Sequence, residues 1–73
     1  MSKPFLIINV IGGVVNGVKQ RSYQREAIEL AVQLATEQCD VTPEVARAEL
    51  EARLGFCSPC GEIDVVIMQA DDD

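Results

Sequence analysis

Phe5-Leu6-Ile7-Ile8-Asn9-Val10-Ile11, followed by Gly12-Gly13 and Val14-Val15-Asn16-Gly17-Val18-Lys19-Gln20, is the stretch whose reading decides the fold. The first seven residues are β-branched and nearly all apolar, the composition of a strand central in its sheet. Two turn signals follow. Gly12-Gly13 makes a two-residue hairpin turn into a returning strand at residues 14–20, whereas Asn16-Gly17 is the stronger turn dipeptide but leaves a polar returning strand at residues 18–23. The first is preferred, because the second makes Gly12-Gly13 a mid-strand irregularity. It pairs Ile11 with Val14, Asn9 with Asn16 and Ile7 with Val18, and leaves Leu6, Ile8, Val10 and Val15 on one apolar face, expected to meet the helices.

Beyond the hairpin the period changes. Ser22 reads as an N-cap, after which Tyr23, Ala27, Leu30, Ala31, Leu34 and Ala35 recur at three- and four-residue steps, widened by Ile28, Val32 and Cys39. Glu26, Glu29, Gln33, Thr36 and Glu37 gather on the solvated side of this helix. Thr42-Pro43-Glu44 is a second helix start, with a capping hydroxyl, a helix-compatible proline and an acid in the first turn. This helix runs to about Leu54, where Gly55 ends it, with an i,i+4 pair of Glu49 and Arg53 and an apolar side of Ala46, Leu50, Leu54, Val45, Ala48 and Ala52. A loop at 56–61 leads to a last strand at 62–69. The expected fold is therefore α+β: a small two-layer domain in the order β-β-α-α-β, with a three-stranded antiparallel sheet of order 2-1-3 and two helices on one face.

At 73 residues the chain is a single domain, 1–73, with an acidic disordered tail expected at 70–73. A core of this size holds a fold narrowly, so self-association or a partner adds stability. There is no histidine, which removes imidazole-dependent triads and most catalytic zinc sites and points away from an enzyme. Three cysteines do not form the even framework of a small secreted domain, and a reducing, cytoplasmic setting is expected. The apolar N-terminus superficially resembles a signal peptide, but Asn9 and Gly12-Gly13 interrupt it and its removal would take away much of the core. No segment approaches a membrane span. Charge is polarised along the chain: residues 1–25 carry four bases and no acid, residues 26–73 twelve acids and two bases, +4 against −10 in a total of −6.

Four groups of residues carry candidate chemistry. Cys57-Ser58-Pro59-Cys60-Gly61 has the C-x-x-C-G form of a zinc knuckle or a dithiol redox motif. Zinc needs four ligands, and the remaining cysteine, Cys39, lies one helix length away along the chain, about 18 Å for twelve residues. Two Cys57/Cys60 pairs across a dimer would complete a set. For redox work the motif should open a helix, and here it precedes a strand. A tight Pro-containing loop with reduced thiols is the simpler reading, with no cofactor. The glycines at 12, 13 and 17 lack the spacing and the following helix of a phosphate loop, and read as turn residues. Lys19, Arg21 and Arg25 with Tyr23 form a basic cluster able to grip phosphates or anchor a protein contact, although a net charge of −6 repels nucleic acid and Tyr23 falls on the buried arc of its helix. Glu44, Glu49, Glu51, Glu62 and Asp64 are the acids expected to form a surface matching a basic groove.

Two helices cover one sheet face, so the other is left apolar: Phe5, Ile7, Ile11, Val14 and Val18 are expected there with residues of the last strand, a surface suited to homodimerisation or partner binding. Together these features point to a non-catalytic acidic protein-binding module that occupies the basic or nucleic-acid-binding surface of a larger protein. Small phage-type inhibitors and modulators of transcription or of a host RNA polymerase or nuclease have this size and charge. The alternatives are a structural zinc-knuckle or dimerising protein using Cys57 and Cys60, and a direct nucleic-acid binder using Lys19, Arg21 and Arg25.

Overall fold

Gly12 and Gly13 adopt φ of 60° and 81°, the pair of positive values a two-residue hairpin turn needs to match the twist of its strands. They join β1 (Phe5–Ile11) to β2 (Val14–Arg21), and α1 (Gln24–Gln38), α2 (Pro43–Arg53), β3 (Gly55–Cys57) and β4 (Ile63–Gln69) follow. This is a computed structural model, and it describes residues 3–59 and 61–69. The expected tail at 70–73 and Cys60 lie outside the described residues.

The molecule is a small α+β domain with two helices and a four-stranded antiparallel sheet of order β2-β1-β4-β3. The expectation of three strands in order 2-1-3 is corrected by β3, which forms within the stretch expected to be a loop at 56–61. Its three residues pair with β4 through Gly55–Val66, Phe56–Val65 and Cys57–Asp64. A strand this short has no period to read, and Phe56 marks it only once its ring is buried in the core. The last strand begins at Ile63 rather than at residue 62.

The hairpin turn falls at Gly12-Gly13 as expected, but the ladder slips one residue further on. Ile11 pairs with Val14 and Val10 with Val15, after which Asn9 pairs with Gly17 and Ile8 with Val18. Asn16 is the extra residue of a β-bulge, which replaces the expected Asn9–Asn16 and Ile7–Val18 pairs. Asn16-Gly17, read as the competing turn, is thus where the strand kinks.

The sheet also presents its faces the other way round. Ile7 and Asn9 are buried against the helices, while Leu6, Ile8 and Val10 lie on the uncovered face. The cause sits in β4, where Ile63, Val65 and Ile67 alternate with Asp64, Val66 and Met68. Burying the second set would bury the Asp64 carboxylate, so Val65 and Ile67 turn inward, and the pairing Ile7–Ile67 and Asn9–Val65 carries the same orientation into β1. The core joins Ile7, Val65, Ile67 and Phe56 of the sheet to Ala27, Ile28, Ala31, Val32 and Ala35 of α1 and Ala46 and Leu50 of α2.

Helix boundaries follow the caps. Thr42 Oγ1 accepts the Val45 N–H at 3.3 Å and Pro43 opens α2, as its residue types predict. The first helix is capped at Tyr23, one residue after Ser22, with no side-chain bond. Tyr23 is 64% exposed, not part of the buried arc. Gly55 is not the residue that stops α2: Leu54 takes the left-handed conformation at φ 54°, its N–H donating to Leu50 O at 2.7 Å and its carbonyl accepting from Ile67 N at 2.9 Å. The second of these bonds ties the helix end directly to β4. The buried side of α2 is narrower than expected, since only Ala46 and Leu50 are enclosed while Val45, Ala48 and Ala52 are exposed. Among the described residues no helix is long and apolar enough to cross a membrane.

Candidate functional site

Charge and apolarity separate by layer. Residues 22–54, the helical layer, carry seven acids and three bases, a net −4, whereas residues 3–21 and 55–69, the sheet layer, carry three bases and two acids. In the helical layer Arg47 donates to Glu29 across the two helices, and Arg53 Nη2 to Glu49 Oε1 at 3.1 Å within α2. The Arg47 guanidinium beside Glu29 holds its carboxyl below the ordinary value of 4.5, chiefly through that hydrogen bond and further through the positive charges of Arg47 and Arg25. Among the described residues Glu26, Glu37, Asp40, Glu44 and Glu51 make no ion pair, so the helical surface keeps its negative sign.

The five acids expected on one surface divide between the two layers. Glu44 and Glu51 are exposed on α2, and Glu49 is half-buried beside Arg53. Glu62 lies at the entry to β4, where its carbonyl accepts the Gly12 N–H at 2.7 Å, and Asp64 stands on the uncovered sheet face opposite Val10 and Cys57. Glu26, Glu37 and Asp40 complete the helical group instead.

The basic cluster is only partly assembled. Arg21 and Arg25 line one open groove of about 840 Å³, but they share it with Glu26, Glu29, Gln33 and Thr36. Arg21 Nη1 also donates to Gln20 O at 2.7 Å. Lys19 lies elsewhere, in a cavity of about 260 Å³ beneath the end of α1 with Asn9, Asn16, Leu34 and Gln38. Tyr23 lines neither. A separate basic pole therefore does not form, because α1 begins three residues after Arg21 and brings its first acids into the same groove.

Cys57 is exposed, and Ser58 is buried beside it. Ser58 N–H donates to Ile63 O at 2.9 Å, its Oγ accepts Ile63 N–H at 3.2 Å, and its carbonyl accepts Gly61 N–H at 2.9 Å. With Gly61 at φ 77°, these bonds tie Ser58 and Gly61 to the start of β4 and close the β3–β4 hairpin. The rise of α2 does not by itself separate the helix junction from Cys57, since β3 doubles back and Asp40, Val41, Thr42, Phe56, Cys57 and Pro59 line one depression. No group of three or more His, Cys, Asp or Glu able to hold a metal occurs among the described residues.

The uncovered sheet face holds Val18 as expected, and also Val15 and the β1 residues expected on the helix side. Leu6, Ile8 and Val10 form its middle row, Val15 and Val18 flank them from β2, and Val66 and Met68 from β4. Val18 is 55% exposed, Met68 50% and Val66 38%. At one corner Arg53 and Asp64 border a shallow depression of about 360 Å³ floored by Val10, Gly55 and Val66. No family model, curated protein or solved structure matches this chain. The layered fold and its two chemically distinct surfaces define it as a small α+β domain with an acidic helical side and an apolar sheet side.

Proposed function

We propose that the chain is a non-catalytic protein-binding module whose helical layer docks on a basic, nucleic-acid-binding surface of a larger protein, in the manner of a small inhibitor of a polymerase or nuclease. The observation that carries this reading is the segregation of charge: a net −4 over the two helices, with Glu26, Glu37, Asp40, Glu44 and Glu51 outside any ion pair among the described residues. Such a surface steers towards a positive groove and competes with the phosphates that groove normally binds. The same charge works against direct binding of nucleic acid, and the acids within the Arg21/Arg25 groove weaken it as a phosphate site.

The test is affinity capture from a bacterial lysate with the full chain and with a Glu44→Lys/Glu51→Lys variant, over rising salt. Both positions are exposed, so the variant keeps the core. Recovery of a basic nucleic-acid-processing protein by the native chain, lost in the variant and at about 0.5 M salt, is the expected result. Recovery of no such protein, or recovery that charge reversal leaves unchanged, overturns the proposal.

A further inference from the structure

The sheet side calls for an occupant that the helical surface does not provide. Seven apolar side chains (Leu6, Ile8, Val10, Val15, Val18, Val66 and Met68) share one face of β2, β1 and β4. Three strands about 4.8 Å apart and seven residues rising about 3.3 Å each give a flat footprint of about 330 Å². That is about a fifteenth of the 4787 Å² surface of the molecule, within the range of the largest apolar patch of a small protein, which is often a functional surface.

We infer that this face is covered by the same face of a second copy, giving a two-fold dimer with the sheets inside and the helices outside. Charge selects this occupant. The strands expose one ionised side chain on the face, Asp64, and it stands at a corner, in the depression that Arg53 also borders. A face with one charge, at its corner, beside seven apolar side chains gives a strongly acidic or basic partner little electrostatic advantage, and a second copy brings a flat apolar surface of the same size.

Face-to-face packing also resolves the repulsion between two chains of −6 each. Sheets stack about 10 Å apart and each helical layer lies about 10 Å behind its sheet, so the two acidic layers end about 30 Å apart, several Debye lengths at physiological salt. Contact through the helices would press the two −4 surfaces together. The footprint is about two fifths of the 800 Å² per partner of a standard stable interface, which makes the dimer a weak, reversible one. It presents two acidic helical surfaces pointing away from each other, and it stands whether or not the helical layer binds a basic partner.

Sedimentation equilibrium of the full chain from about 1 µM to about 1 mM tests this. A monomer–dimer equilibrium is expected that does not weaken between about 0.05 and 0.5 M salt, since the contact is apolar. Val18→Lys/Met68→Lys adds charge at two exposed positions on the face and raises the dissociation constant at least about 100-fold, because dimerisation then buries unpaired ammonium groups. Its circular dichroism at low concentration stays native. Val45→Lys, equally exposed but on α2, leaves the equilibrium as it was. A native chain still monomeric at about 1 mM, or a dimer that persists in the double variant, overturns the inference.

Discussion

Asn9 shows how far a single side chain can mislead. In a run of apolar residues its polarity argues that its face of β1 is the solvated one. Yet it is only 5% exposed and its Oδ1 finds no donor among the described residues. Gln38 Oε1 is in the same position and lines the same cavity. A buried carbonyl oxygen without a donor costs on the order of 1–3 kcal/mol, and here the alternation of β4 outweighs it by burying Val65 and Ile67 and keeping the Asp64 carboxylate in solvent. Asn9→Leu keeps the branched side-chain skeleton, places its larger methyl groups against the cavity that Asn9 lines, and removes the orphan acceptor. Urea unfolding of that variant is expected to give a stability about 1 kcal/mol higher than the native chain, and a loss of stability would mean the amide is satisfied in solution.

Among the elements, the parts specified by local chemistry are the parts that the sequence predicts. Positive φ at Gly12-Gly13 and the Thr42-Pro43 helix start depend on neighbours within four residues. The bulge at Asn16, the strand β3 and the left-handed Leu54 depend on distant partners. The link between Glu29 and Arg47, eighteen positions apart, is of the same kind and had no sequence signal. It also gives a pH dependence. With the folded carboxyl held below the ordinary value of 4.5, the ionised form is favoured in the native state, so the link stabilises above that pH and its contribution disappears as pH falls through the lower folded value. Thermal melts of Glu29→Gln against the native chain are expected to show a gap at neutral pH that closes in acid. A gap that stays constant with pH rules the link out as the cause. Both side chains are substantially exposed, so the effect is small and screened by salt.

At the scale of the whole molecule, a folded dimer and an unfolded monomer are linked by mass action. The midpoint of thermal unfolding of the full chain is therefore expected to rise with protein concentration, and the Val18→Lys/Met68→Lys variant to show no such rise. A midpoint independent of concentration in the native chain counts against the sheet-face pair.

The sequence by itself determined the helices, the hairpin and its turn, the α+β class and the sign of the helical surface, because periodicity, caps and charge are written in residues close together in the chain. It also required an uncovered apolar face, since two helices cannot cover both sides of a sheet. Only the tertiary structure decided which residues occupy that face. Strand pairing links the faces of β1, β4 and β3, so one carboxylate on β4 fixes the orientation of residues nearly sixty positions earlier. It likewise decided that Arg21 and Arg25 share a groove with Glu26 and Glu29 while Lys19 lies apart, because the meeting of a strand end with a helix start is settled by packing.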